Sequence, residues 1–445
     1  METLPPKAVI IGAGPAGLLL AHYLLARHYQ VEIYERRADP RTVSPSQQRS
    51  FPISLQERGR QALRGIPQLE ATIADHSVFC KGTMIHSKKG VRDIPRKNEI
   101  MTIDRNQLVL TLLDTLSSQY SEPALTVAFN CTCDRIDDEQ QIVSFVSTEG
   151  ERFSVHYKRL IGADGARSIV RQQLSDHYGL AAEVNTVPDA YKSIFLTRKN
   201  PQKNVEFAPN RIHSTDVGKH SRIILAPQPG DQLHGAFIFT AGQNPLQAFT
   251  TKEEILDYFE THLPAFRAVI SPEEAEALLN RPTARLLTVK CAQFHYGDRI
   301  LLIGDAAHAV SPSIGQGCNS ALEDISILNQ CLNRNQENWA KTIAQFSQSR
   351  VVDAHALVEL SAHSFPRARW LIPEFLFRLT IGRKLSKWFP QWFHPFVFDL
   401  VLDSAMPYSE VLRLSQGWIN KVKRSTERLN LTIKVPVKGS AEEAK

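Results

Sequence analysis

The stretch Gly12-Ala13-Gly14-Pro15-Ala16-Gly17 constrains this chain more than any other. It follows the apolar run Ala8–Ile11 and leads into a segment with apolar Leu18, Leu19, Ala21, Leu24 and Leu25. The pattern predicts a buried strand, a tight turn and a helix. Val31–Tyr34 supplies a second strand and completes a βαβ unit. Gly12, Gly14 and Gly17, with Ala16 among them, let the turn close and let an anionic group approach the unpaired N–H groups of the helix start. Glu35 ends the second strand, where a carboxylate accepts a hydrogen bond from a ribose hydroxyl, and Arg36 follows it. The unit therefore predicts dinucleotide binding. Its glycines also break up the only N-terminal run that could pass for a signal-peptide core.

Two further glycine turns lie far along the chain. In GDAAHAVSPSIGQGCNSALED, residues 304–324, Asp305 follows the apolar strand RILLIG, where its carboxylate can accept from a ribityl or ribose hydroxyl. Pro312 opens a loop through Gly315 and Gln316 into Gly317, Cys318 and Asn319, the start of a helix whose free N–H groups favour negative charge. The ring end of a reduced flavin is a suitable partner. The third turn, GADGARSIVR, puts Asp164-Gly165 between a strand and a helix with Arg167 and Arg171, and arginine can grip a pyrophosphate bidentately. Arg105 stands just behind the predicted helix cap Asp104 and is a fourth candidate at the cofactor.

At 445 residues with 42% hydrophobic content, the chain exceeds one ordinary domain. The expected organisation is a Rossmann-like FAD-binding domain interleaved with a mostly antiparallel β-sheet substrate domain, followed by a helical C-terminal region. Residues 1–75, 104–178 and 291–362 read as the three parts of the first domain. Residues 76–103 read as short strands contributing to the second, 179–290 as its main body, and 363–445 as the helical region. The net charge of +6 comes from 52 basic residues dispersed among 46 acidic ones, which argues against a nucleic-acid partner. The six cysteines show no metal-ligand spacing, so no metal is expected, and reduced thiols point to the cytoplasm. No apolar run approaches the ~18 residues needed to span a bilayer.

The three motifs, in this order and spacing, resemble the single-component FAD-dependent aromatic hydroxylases, the class A flavoprotein monooxygenases, over nearly the whole chain. Within that group QRSFPISLQERGRQAL, MIHSKKG and the 304–324 stretch are similar to the kynurenine 3-monooxygenase family. The resemblance implies FAD as cofactor and NADPH, or NADH, as electron donor. It implies O2 as co-substrate and hydroxylation of a small aromatic molecule by a flavin hydroperoxide, with the cofactor supplying the chemistry. Carried over residue by residue, it places Glu35 and Arg36 at the adenosine end, Arg105 at the helix contact, Asp305 at the ribityl chain and Cys318 and Asn319 at the ring. It further puts Ser54 where a loop passes the flavin, and Pro312 with Gly315 beside the reactive edge. A flavin reductase and a non-catalytic flavoprotein with a drifted substrate site are the alternatives. Flavin-dependent halogenases carry a W-x-W-x-I-P word that is missing here.

The departures concern the substrate. Kynurenine enzymes hold the amino-acid carboxylate with an arginine just before MIHS and a tyrosine just after the following IP; here those places hold Thr83 and Arg96. The aromatic residue expected after the loop proline is Ser313, and the polar C-terminal contacts of the family fall on Ser364 and Phe398. The pattern predicts a larger or less zwitterionic substrate, with Arg96 reaching an acidic group. In RARWLIPEFLFRLTIGRKLSKWFPQWFHPFVF the apolar positions do not segregate onto one helical face. Trp370, Trp388 and Trp392 are therefore expected to cap the substrate pocket and pack on the sheet domain, with peripheral membrane contact as the alternative. Oligomeric state is not legible.

Overall fold

The computed structural model describes residues 5–43, 50–87, 90–217 and 221–432. Its first layer is a six-stranded sheet in the order His295–Tyr296, Ile300–Leu302, Leu160–Gly162, Lys7–Ile11, Gln30–Tyr34 and Leu125–Ala128. All pairings but the first are parallel. Helices shield the central strands, which is why they read as unbroken apolar runs rather than alternating ones. The helix Pro15–Leu25 starts on a proline, where the missing N–H costs nothing, and buries nearly every residue against the helices Arg105–Gln119 and Gly317–Arg334. Asp104 caps Arg105–Gln119 by accepting from the N–H groups of Asn106 and Gln107.

The second layer is an eight-stranded sheet, antiparallel except where Ile212–Asp216 runs beside Val78–Ser87. Gln232–Thr240 alternates strictly, burying Leu233, Gly235, Phe237 and Phe239. These residues join Ile255 and Phe259 of the helix Lys252–His262 in a separate core. That helix begins with a capping box between Thr251 and Glu254. Residues 76–103, expected as short strands, form one long hairpin, Val78–Ser87 with Gly90–Asp104. Its pairing jumps from Gly82 opposite Pro95 to Cys80 opposite Ile100, so residues 96–99 bulge opposite Lys81. The edge strand Pro52–Leu55 pairs with the far end of the hairpin, Ser54 opposite Thr102. His234 of this sheet donates to Asp104 at 2.9 Å and ties the two layers together at the start of the Arg105 helix.

A third core, with Leu357, Leu360, Phe375, Val397, Tyr408 and Trp418, organises the C-terminal helices. Here one expectation fails: Trp370, Trp388 and Trp392 are exposed rather than packed on the pocket or the sheet. The inner face of the helix Ile372–Trp388 is already filled by Phe375 and Leu379, with Phe396 close against Gly382, so the remaining aromatics point outward.

Candidate active site

The three glycine turns lie side by side because Lys7–Ile11, Leu160–Gly162 and Ile300–Leu302 are neighbouring parallel strands, and each turn leaves the carboxyl end of its strand. Ligands of open parallel sheets bind at that edge. The fit is close: a Cβ on Gly12, which has φ +106°, would lie 2.6 Å from the Ala163 carbonyl oxygen. On Gly17 it would lie 2.1 Å from the Gly12 oxygen. Gly304 meets Ala16 in the same way, a Cβ there coming within 3.3 Å of the Ala16 Cβ. Glu35 secures the first turn, accepting from the N–H of Ala13 at 2.9 Å and of Arg37 at 3.0 Å. Arg36 beside it is exposed.

Charged groups without protein partners surround this junction. The Arg105 guanidinium reaches to within 3.9 Å of where a Gly14 Cβ would stand, and no described residue pairs with it. Asp305 is open to solvent yet surrounded by protein, as expected of a cleft wall; burial pushes its carboxyl up, while His308 and Arg105 draw it back down. Burial and the neighbouring Asp305 push the half-buried Cys318 thiol up to about 12, so it is neutral. Asp164 spends one oxygen on the N–H groups of Ile169 and Val170, at 2.7 and 3.3 Å; its other oxygen, Oδ1, is buried with no protein partner. Gly165, with φ +83°, turns the chain past it.

The loop from Pro312 to Asn319 forms the next wall. Pro312 and Gly315 are exposed; Gly315 has φ +65°, and a Cβ there would lie 4.0 Å from the Ser54 Cβ. Gly317, Cys318 and Asn319 open the helix Gly317–Arg334, whose first N–H groups have no partner within the helix. The Asn319 side chain, expected at the flavin ring, is instead a clamp. Its Oδ1 accepts from the Gln56 N–H at 2.7 Å, and its Nδ2 donates to the carbonyls of Ser54 at 2.8 Å and Gly315 at 3.0 Å. Only its backbone N–H is left for a ligand. Arg171 is corrected likewise: it is buried and donates to the carbonyls of Ala306 at 2.9 Å and Ala166 at 2.8 Å, so it joins two turns and cannot grip a pyrophosphate. Arg167 is exposed.

Beneath the loop lies a polar framework that sequence reasoning did not identify. Asp324 accepts from the Gly304 N–H at 2.9 Å, from His308 at 2.6 Å and from Arg350 at 2.8 Å, all fully buried. Arg350 also pairs with Glu323 and Asp353. Burial would raise Asp324, but His308 and Arg350 hold it below the usual carboxylate range. A second chain runs from Tyr408, which donates to Gln316 at 2.8 Å, to Gln56, which accepts from Gln316 at 2.6 Å. Arg58 stacks over the Tyr408 ring at 4.2 Å. These partners lie up to 92 residues apart, so no local pattern announces them. The only visible signal is that His308 and Asp324 stand within the 304–324 stretch.

The residues expected on the substrate side fall on several elements. Thr83 and Arg96 belong to the long hairpin, both partly buried. Arg96 has no partner among the described residues; burial pushes its guanidinium below its ordinary value, opposed by Asp403 and Asp399. Those carboxylates belong to the helix Val397–Asp403, which packs against the Pro312–Ile314 turn. The Ser313 hydroxyl donates to the Ser361 carbonyl and so pins the loop to the helix Trp339–His363. Ser364 is buried with its hydroxyl unpartnered, and Phe398 lies edge-on to Phe375 at 5.9 Å. A recess of about 360 Å³ lined by Lys158, Arg159, Arg299 and Trp339 lies at the opposite edge of the parallel sheet and is not part of this site.

The donor set fits an FAD: a close-fitting glycine cradle, a carboxylate at the end of the second strand, an unpaired arginine and carboxylate, and the orphaned Asp164 oxygen. The family model for the FAD binding domain matches residues 6–361. Kynurenine 3-monooxygenase of Salinispora arenicola is 30% identical over 443 residues, covering 96% of this chain and 94% of that protein. The enzyme of the same name from Legionella pneumophila is 29% identical over 419 residues, covering 92% and 90%. Among solved structures, 2-methyl-3-hydroxypyridine-5-carboxylic acid oxygenase superposes with a TM-score of 0.65 at 19% identity, over 86% of this chain and 93% of that one.

Proposed function

Because this chain belongs to the FAD binding domain family, as an FAD-dependent aromatic hydroxylase similar to the kynurenine 3-monooxygenases, we propose that its substrate is an aromatic compound that presents an acidic group to Arg96, in place of free kynurenine. The observation that carries the proposal is Arg96 itself: a guanidinium set in the hairpin bulge, unpaired, at the helix that packs on the Pro312 turn. An arginine stays charged even when buried and binds a carboxylate through two parallel hydrogen bonds. Thr83, where the family has its arginine, can offer only a hydroxyl.

The bound flavin supplies electron transfer from NAD(P)H and the activation of O2. Asp305 and Glu35 accept from its hydroxyls, Arg105 neutralises phosphate charge, and the N–H groups of residues 317–319 face negative charge on the ring. The Asn319 clamp holds Ser54 and Gly315 together along that path. Pro312 and Ser313, pinned to Ser361, wall off the reactive side from water. The chain is asked for positioning rather than for an acid or base.

The test is NADPH oxidation with quantified hydroxylated product, run on free kynurenine and on aromatic acids lacking the α-ammonium group. Arg96→Ala should raise KM for the preferred acid by about 10-fold to 100-fold, the value of a charge-assisted pair of about 1.5–3 kcal/mol. Tightly coupled conversion of kynurenine to its 3-hydroxy product, unaffected by Arg96→Ala, would overturn the proposal.

A further inference from the structure

Of the 13 large hydrophobic side chains that stand exposed, seven lie in the short segment 365–393. They fall into one pattern. The helix Ile372–Trp388 turns Phe375 and Leu379 inward and Phe377, Lys384, Lys387 and Trp388 outward. The next residues form a tight turn in which the N–H groups of Trp392 and Phe393 both donate to the Phe389 carbonyl, at 3.0 Å each. Trp388, Phe389, Trp392 and Phe393 therefore project together, with Trp388 66% and Trp392 77% exposed. Such an aromatic cluster on a folded surface marks an interaction site.

Charge identifies the occupant. From His363 to Phe396 the chain holds Arg367, Arg369, Arg378, Arg383, Lys384 and Lys387 against one acid, Glu374. Glu374 is itself consumed by Arg378 and Lys421. Lys384 and Lys387, which flank the aromatic turn, have no ion-pair partner among the described residues. Tryptophan and phenylalanine at a tip, collared by free lysines, match the interface of a bilayer with anionic head groups. A second copy fits poorly, because a two-fold contact on this patch would set Lys384 and Lys387 against their own like charges. No described helix is long and apolar enough to cross a membrane, so contact through this patch is peripheral.

We propose that residues 384–393 form a membrane-docking tip that seats the enzyme on anionic lipid surfaces. The tip is joined through Phe396, against Gly382, to the helix Val397–Asp403, which packs on the Pro312–Ile314 turn. Docking thus places the substrate side of the molecule close to the lipid. The inference does not depend on which aromatic acid is hydroxylated.

The test is co-sedimentation of full-length holoenzyme with vesicles of phosphatidylcholine alone and of phosphatidylcholine mixed equally with phosphatidylglycerol. Binding to the mixed vesicles is expected, with a blue shift of tryptophan emission. Trp388→Ala with Trp392→Ala should weaken partitioning roughly tenfold or more, and Lys384→Glu with Lys387→Glu should remove the preference for phosphatidylglycerol. FAD content and thermal midpoint should stay at wild-type values in both variants, since the four side chains are exposed. The proposal is overturned if the holoenzyme stays in the supernatant with both vesicle types, or if the variants bind as wild type does. It is equally overturned if sedimentation velocity shows that the tryptophan substitutions split a dimer.

Discussion

Replacing Asn319 with alanine tests how the flavin loop is held. The substitution strands three buried backbone groups at once: the Gln56 N–H loses its acceptor, and the Ser54 and Gly315 carbonyls lose their donor. An unsatisfied buried N–H costs about 1–3 kcal/mol, and an under-satisfied carbonyl, with a second lone pair to redirect, costs less. The expected total is roughly 2–5 kcal/mol, enough to consume much of an ordinary domain's stability. Because Ser54 and Gly315 lie along the proposed cofactor path, FAD affinity should fall as well, by roughly tenfold or more. Asn319→Asp separates the terms: it keeps the acceptor for Gln56 but turns a carboxylate oxygen toward two carbonyls, so it should be no better than alanine. Thermal unfolding with and without added FAD, together with flavin fluorescence titration of the apoprotein, reads both effects. Wild-type stability and wild-type FAD affinity in Asn319→Ala would refute the clamp.

Arg350→Met should destabilise the protein by about 3–5 kcal/mol in urea unfolding, since it leaves Asp324, Glu323 and Asp353 without their shared cation in a buried site. Gly17→Ala should abolish FAD retention on gel filtration, because its Cβ would lie 2.1 Å from the Gly12 carbonyl oxygen. Stability should also fall below neutral pH. Burial pushes both His22 and His213 down to about 4, so each binds its proton more weakly folded than unfolded. Their contribution is complete above the unfolded value of about 6.5 and is lost as pH drops toward 4, on the order of 2 kcal/mol each by pH 5. Urea midpoints that do not change between pH 7.5 and 5 would contradict this.

What the sequence made legible follows from locality. The Gly12–Gly17 turn could be read because strand, glycines and helix are contiguous, and Asp104 because a cap precedes its helix by one residue. That the turns at residues 12, 163 and 304 belong together was readable from the glycine at the end of each apolar strand. The sheet order then makes them neighbours. Residues whose role depends on distant partners escaped. Arg171 looked like an anion ligand because its helix follows a glycine turn, yet it finds the Ala306 carbonyl 135 residues away. Asn319 and Tyr408 likewise meet partners that no periodicity links to them. The tail misled for a different reason: its apolar residues serve two surfaces, an inner one packed by Phe375 and Phe396 and an outer one around Trp388 and Trp392, so no single helical face stood out.

The central claim is that three turns from distant parts of the chain build one FAD site. It is tested most directly by releasing the chromophore from purified protein and measuring the molar ratio of FAD to polypeptide. The account predicts a yellow protein holding FAD one-to-one. A colourless polypeptide that takes up no added FAD would contradict it.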